Sequence, residues 1–170
     1  MTVTPNPDGS FEMSGLYGPL TFAVSSTEGG WYLKQVLANG VDVTALRLDT
    51  TRDLDDVQIV LTRQSWDLSG IVRDNLGKLA PDAYVVLFAE DPTGRWPGSP
   101  YVRVTRVSAD GGFVIKGVRP GRYRAAAVEF LEDGEASDPD LLAQLDRVST
   151  PVTLGDGVTA TLDLRLVPWP

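Results

Sequence analysis

Apolar and polar residues alternate along most of this chain, which is the pattern of strands with one buried face. The longest such run lies at 158–166, where every second residue is apolar: Val158, Ala160, Leu162, Leu164 and Leu166. Shorter runs predict further strands at 20–24, 31–37, 57–61, 66–72, 101–107, 112–116 and 123–128. The continuously apolar segment Tyr84–Phe88 predicts a central strand that is covered on both faces.

Turn-forming residues separate these runs. Asn39-Gly40 predicts a type I′ hairpin turn, because both central positions of that turn need a positive φ. Further structural turns are predicted at Asp110, Gly111, Gly112, Pro120 and Gly121. Strands separated by turns every 8–12 residues or so are typical of an all-β sandwich.

One short helix interrupts the β pattern. Asp138 is the expected N-cap, and Pro139 occupies the first helical position. Leu141, Leu142 and Leu145 then give the helix an apolar side. About two turns of helix are too short to be stable alone, so we expect it to cover an open end of the sandwich core.

The sequence contains an internal repeat. Residues 8–16 (DGSFEMSGL) match residues 110–118 (DGGFVIKGV) at a constant offset of 102 positions, which is 110 minus 8. Each copy continues into a Gly/Pro pair and a strand, and each ends in an alternating strand. The match predicts two tandem modules: a first unit (residues 1–64), a second unit (residues 66–167) and a tail (residues 168–170).

The two copies differ in completeness. The second has about 45 residues before its Asp-Gly turn, enough for three strands, whereas seven residues precede Asp8 in the first. We therefore expect the first unit to lack its opening strands, which would leave sheet edges and core residues uncovered. The expected donor of the missing strands is a copy of the chain in head-to-tail order, which would build a fibre, or a neighbouring repeat of a longer chain.

Composition narrows the possible chemistry. The 170 residues include no His and no Cys, which excludes disulfides, imidazole or thiol catalysis and Cys/His zinc sites. A formal net charge of −8 disfavours nucleic acid as a partner. No apolar run approaches the roughly 18 residues that span a bilayer. We expect no cofactor and no catalytic residues.

Two stretches carry a family resemblance. They comprise Leu68–Asp74 with Gly77, Pro81 and Ala83–Leu87, and Asp110–Phe113 with Gly117, Pro120, Gly121 and Tyr123. Together they resemble the carboxypeptidase regulatory-like domain, a transthyretin-like (prealbumin-like), Ig-like β-sandwich. The resemblance covers 66–167 well and 8–64 as a partial copy without the Gly-x-Val-x-Asp opening.

The resemblance implies a function and a location. Modules of this family are non-catalytic and are common as repeats in large secreted or surface bacterial proteins. It therefore implies a structural or assembly module, outside the cytoplasm or on the cell surface, that contacts copies of itself or neighbouring repeats.

The loop at 91–100 is a candidate contact site. Trp96 beside Arg95 and Tyr101 could stack on a sugar or anchor a partner, since these residue types are common at interface hot spots. Alternatively, Trp96 folds back over the helix and closes the sandwich. The first interpretation makes the chain a carbohydrate- or ligand-binding module, and glycan binding that is lost in Trp96→Ala would favour it.

Charged clusters offer two further candidates. Glu132, Asp133 and Glu135 belong to an acidic stretch that could hold Ca²⁺, although a solvated loop and a helix cap also account for such acids. A basic group is expected to form ion pairs with nearby acids across strands. Its members are Arg103, Arg106, Arg119, Arg122 and Arg124.

Overall fold

The computed structural model describes residues 2–24, 30–44, 46–49, 51, 53–64, 66–155 and 159–168. The strands are β1 (Tyr32–Ala38), β2 (Val41–Asp42), β3 (Val57–Thr62), β4 (Leu68–Arg73), β5 (Tyr84–Ala89), β6 (Arg103–Arg106), β7 (Gly112–Ile115), β8 (Gly121–Val128), β9 (Thr150–Leu154) and β10 (Ala160–Arg165). Among these described residues there are also one α-helix, α1 (Pro139–Asp146), and two 3₁₀ helices, Pro92–Gly94 and Glu135–Ser137. The prediction of an all-β fold with one short helix is confirmed.

The second unit is a β-sandwich of two sheets. One sheet has the order β10-β4-β7, with β4 parallel to β10 and antiparallel to β7. The other has the order β6-β5-β8-β9 and is antiparallel throughout. Apolar side chains of both sheets, such as Leu68, Val72, Leu87 and Phe113, form one buried cluster between them.

The helix packs on the outer face of the four-stranded sheet. Asp138 caps it by accepting a hydrogen bond from the Asp140 amide at 2.8 Å. A second buried cluster joins the helix to β5 and β8, and its members include Val86, Phe88, Ala126, Val128, Leu141, Leu142 and Leu145. The expectation that the helix covers an open end is therefore wrong. Because β5 and β8 are apolar on both faces, a second layer has to cover the outer one, as the pattern at Tyr84–Phe88 predicted.

The first unit contributes a smaller sheet with the order β2-β1-β3. Asn39 (φ 50°) and Gly40 (φ 76°) form the two-residue turn between β1 and β2. A small core surrounds Val36, Ala38 and Val43. The strand predicted at 20–24 is wrong, since this segment makes a single bridge between Leu20 and Leu48.

The two Asp-Gly turns of the repeat fold alike. In the first unit the amides of Asn6 and Gly9 bond to the carbonyls of Ser10 and Asn6, at 2.8 and 2.9 Å. The residues 102 positions later make the same two bonds, also at 2.8 and 2.9 Å. Gly9 and Gly111 both have a positive φ, 84° and 75°. The predicted repeat is thus visible in the backbone of the turn.

The aspartates of these turns behave alike as well. Asp8 and Asp110 each accept a side-chain hydrogen bond from a serine hydroxyl and a backbone bond from the amide two residues on. These bonds, the hydroxyl bond foremost, hold the pKa of both carboxyls below its ordinary value.

The segments that follow the two turns differ. Gly112–Ile115 forms β7 because β4 lies beside it and pairs with it. Residues 10–13, the counterpart of β7, form no strand in the described structure. Within the described residues no helix has the length and hydropathy needed to cross a membrane.

Candidate interface between the two units

The loop at 91–101 is tightly folded rather than extended into solvent. It begins at Asp91, whose side chain accepts a hydrogen bond from the Thr93 amide at 2.9 Å and caps the first 3₁₀ helix. This backbone bond, supported by the Thr93 side chain, lowers the pKa of Asp91. Ser99, which is 4% exposed, donates from its hydroxyl to the Gly94 carbonyl.

Arg95 lies inside the second unit. Its side chain is 6% exposed, and its guanidinium lies 4.9 Å from the centre of the Phe88 ring. The Nε donates to the Ala89 carbonyl and an Nη to the Glu90 carbonyl, each at 2.7 Å. Both Nη atoms reach the Asp146 carboxylate at 3.2 Å. Arg95 therefore connects the loop to the last residue of α1. The sequence predicts that Arg95 contacts a ligand or partner, and the structure places it in the interior of the second unit.

Trp96 lies against the first unit. The guanidinium of Arg47 is 4.9 Å from the centre of its ring, and an Nη of Arg47 donates to the Pro97 carbonyl at 3.4 Å. The apolar side chains that flank the helix cluster are instead Tyr84, Val102 and Val167. The sequence predicts that Trp96 either covers the helix or contacts a ligand or partner. In the structure Arg47 of the first unit lies over its ring.

Arg119 makes the second contact between the units. Its Nη1 donates to the Thr44 carbonyl at 3.4 Å, and its guanidinium lies 5.6 Å from the centre of the Tyr101 ring. Tyr101 in turn packs on Tyr123, with ring centres 6.2 Å apart. Tyr123 donates its hydroxyl to the Arg119 carbonyl at 2.9 Å, and burial raises its pKa well above the ordinary value.

Asp42 supplies a negative charge to this contact. Burial alone would raise its pKa, but hydrogen bonds from Thr44 and Gln35 and the positive charge of Arg119 hold it below the ordinary value. The Thr44 hydroxyl donates to Asp42 and also accepts a bond from the Val36 amide at 2.8 Å. The segment that meets Arg119 is therefore held in place by its own hydrogen bonds.

Tyr32 and Gly117 form the third contact. Gly117 has a φ of 64°, and a Cβ at this position would lie 2.7 Å from the Tyr32 ring. The missing side chain leaves room for the ring of the first unit to approach the backbone of the second. We call the set Tyr32, Thr44, Arg47, Trp96, Gly117 and Arg119 the inter-unit interface.

The acidic candidates lie elsewhere, on the surface of the second unit. Glu132 and Asp133 are exposed, and a Glu135 side-chain oxygen accepts a bond from the Glu132 amide at 2.9 Å. Throughout the described ranges, no three acidic side chains stand close enough together to hold a metal ion.

Three members of the basic group pair with acids, and two bond to carbonyls. Arg106 meets Asp82 at 2.9 Å, Arg122 meets Glu90 at 2.6 Å, and Arg124 lies between Glu90 (3.7 Å) and Asp146 (3.3 Å). Arg103 and Arg119 donate to the Lys116 and Thr44 carbonyls. At the predicted turn, Pro120 immediately precedes β8, and Gly121, with a φ of 153°, is the first residue of that strand.

Sequence reasoning missed the first unit's half of the interface. Arg47, Thr44 and Tyr32 carry no local motif, because their roles depend on how two segments 50 or more positions apart meet. The sequence places Gly117 in the repeat and in the family resemblance, and neither predicts a contact with the first unit. Its counterpart Gly15 has a similar φ of 68° but no atom within 4 Å of a would-be Cβ, so the close approach is specific to the second copy.

No protein-family model and no curated protein matches the sequence. Similar solved structures include the Bacillus anthracis TIE protein (13% identity, 66% of this chain and 18% of that chain, TM-score 0.40). The group B streptococcus pilus 2b backbone protein is 19% identical, with 68% of this chain and 44% of that chain covered and a TM-score of 0.36. A dioxygenase domain from a cellulolytic Streptomyces is 17% identical, with 60% of this chain and 79% of that chain covered and a TM-score of 0.35. The chain spans less than half the length of the first two. At TM-scores this low the similarities carry no argument about what the chain does.

Proposed function

We propose that this chain is a non-catalytic structural module of an extracellular or cell-surface bacterial protein. It acts as a rigid pair of transthyretin-like units that assembles head-to-tail with its own copies or with neighbouring repeats. The resemblance of residues 66–167 to the carboxypeptidase regulatory-like domain supports the type of module and its location. The observation that carries the structural role is the inter-unit interface.

The interface holds the two units at three separate points. Arg47 on Trp96 is a cation–π contact worth about 0.5–2 kcal/mol depending on exposure, and Arg119 donates to the Thr44 carbonyl at 3.4 Å. Tyr32 on Gly117 adds a contact between a ring and a backbone. Because three contacts restrict relative motion more than a single contact does, we expect the units to resist both bending and rotation. A module that sets the spacing of neighbours in an assembly needs this resistance.

The same contacts bear on the alternative, a carbohydrate-binding module that uses Trp96 and Tyr101. A sugar stacks on the open face of an aromatic ring. Here arginine side chains lie over both rings, Arg47 over the first and Arg119 over the second. A carbohydrate would have to compete with them, which makes the structural role the better supported of the two.

Unfolding tests whether the units act as one body. We expect the unmodified chain to unfold in a single calorimetric transition, with equal calorimetric and van't Hoff enthalpies. The double variant Arg47→Ala/Arg119→Ala should give two transitions, because the small first unit loses its attachment to the larger second one. Lys34→Ala, at an exposed site of the first unit, is the control that should keep one transition. Two transitions in the unmodified chain, at the temperatures of the double variant, would contradict the proposal.

A further inference from the structure

The first unit contains an open groove. A cavity of about 830 Å³ is lined by two segments, residues 9–17 and residues 53–57, together with Leu20 and Phe22. The first segment contains the end of the Asp8-Gly9 turn and the residues after it, and the second segment leads into β3.

The second unit shows which strand lies between the counterparts of these two segments. The counterpart of residues 10–13 is β7, as the matching turns establish, and β3 is the last strand of its unit as β10 is of the other. In the second unit β4 lies between β7 and β10 and pairs with both. Within the described part of the first unit, β3 pairs with β1 on one edge only, and no strand pairs with residues 10–13.

An aromatic side chain lies on the groove where a strand would cover it. Phe113, in β7, pairs with Gly70 of β4 and is 3% exposed. Its counterpart, Phe11, is only half-buried and lines the groove. A Cβ at Gly70 would lie 2.8 Å from the Phe113 ring, so a strand that passes over this phenylalanine needs glycine opposite the ring.

The groove is also negatively charged. Its described lining includes four carboxylates, those of Glu12, Asp53, Asp55 and Asp56, and none of the described lining residues is basic. A concave site with charges of one sign raises the local concentration of opposite charge. Asp53, Asp55 and Asp56 lie just before β3, and in the second unit the start of β4 lies beside the start of β10, as Leu68 pairs with Ala160.

We propose that this groove binds an extended peptide strand of a neighbouring chain, with apolar residues two positions before and two positions after a glycine, and with Lys or Arg at its N-terminal end. The strand runs antiparallel to residues 10–13 and parallel to β3, as β4 does between β7 and β10. Backbone hydrogen bonds and the covered apolar surface provide the affinity, and the glycine and the basic end provide the selectivity. The inference rests on the proposed function, since it names the contact through which an assembly would add a neighbour.

A synthetic peptide tests this directly. The peptide is two lysines followed by the sequence of Leu68–Arg73, and it is titrated into the full-length ¹⁵N-labelled chain. We expect chemical-shift changes at residues 9–17 and 53–57, with the second unit unchanged. Replacing the two lysines by glutamates should weaken binding by about tenfold or more, and so should raising NaCl from about 0.05 to about 0.5 M. A valine in place of the peptide's glycine should abolish binding.

A variant of the protein reverses the charge preference. Glu12→Lys/Asp53→Lys/Asp55→Lys leaves one carboxylate and three lysines among these four positions, so it should bind the glutamate peptide better than the lysine peptide. Unchanged amide shifts of β1 and β3 away from the groove show that the first unit of this variant is folded. No binding at millimolar lysine peptide, equal affinity for the two peptides, or shifts confined to β7 and β10 would each overturn the inference. A chain that unfolds in one transition but ignores the peptide contradicts only this inference. A chain that binds the peptide but unfolds in two transitions contradicts only the proposed rigid pair.

Discussion

Alanine at position 70 prevents the second unit from closing, and we expect Gly70→Ala to lose about 3 kcal/mol or more of unfolding free energy. Gly70 lies in β4 between β7 and β10. A Cβ there would overlap the Leu162 carbonyl of β10 and would approach the Phe113 ring to 2.8 Å. The carbonyl belongs to the sheet backbone, so it moves only if the pairing between β4 and β10 opens.

Gly155→Ala is the matched control for this loss. Its added Cβ would meet no atom within 4 Å, and its φ lies outside the left-handed region. We expect a change within about 0.5 kcal/mol. Urea unfolding followed by tryptophan fluorescence measures both variants, because Trp66 is 4% exposed and reports on the second unit. Equal stability of Gly70→Ala and Gly155→Ala would contradict the packing described for β4.

Arg95→Ala should be the second large loss, about 3 kcal/mol of unfolding free energy. The substitution removes the donors to the Ala89 and Glu90 carbonyls and to the Asp146 carboxylate, in a part of the second unit where Arg95 itself is 6% exposed. Asp146 retains Arg124 at 3.3 Å, which places the loss near the lower end of the range for a broken buried pair. Chemical denaturation gives the value.

Arg122→Ala is the control for the loss of an arginine in the same region. Arg122 pairs with Glu90 at 2.6 Å, but its side chain is 75% exposed. Exposed ion pairs contribute about 0–1 kcal/mol, so we expect Arg122→Ala to lose no more than about 1 kcal/mol of unfolding free energy. If Arg95→Ala and Arg122→Ala cost the same, Arg95 does not fasten the loop to α1.

Local sequence patterns predicted the elements that depend only on residues close together in the chain. The cap at Asp138 and Pro139 gave the start of α1, because a helix N-terminus needs an acceptor and tolerates a proline. The Asn39-Gly40 pair fits its turn because both positions need a positive φ. The doubly apolar run at Tyr84–Phe88 predicted a strand covered on both sides, and β5 is covered by the sandwich core and by α1.

Features that depend on distant partners were not predictable from local patterns. The alternating residues at 20–24 form no strand, although they have the period of one, because a strand also needs a neighbour to pair with. β9 was missed because Pro151 breaks the strand pattern, and the structure tolerates this proline at the edge of its sheet. The contacts of Arg47 with Trp96 and of Arg119 with Thr44 join residues that only the folded chain brings together.

The central claim, that the two units form one rigid pair, is tested most directly by a distance distribution between spin labels on each unit. The chain has no native Cys, so Lys34→Cys and Lys78→Cys place labels at two exposed sites, one on each unit. Pulsed electron paramagnetic resonance should give one narrow distance peak, which broadens when Arg47→Ala and Arg119→Ala are added. A distribution that is already broad in the unmodified background, and that the two substitutions leave unchanged, would contradict the account.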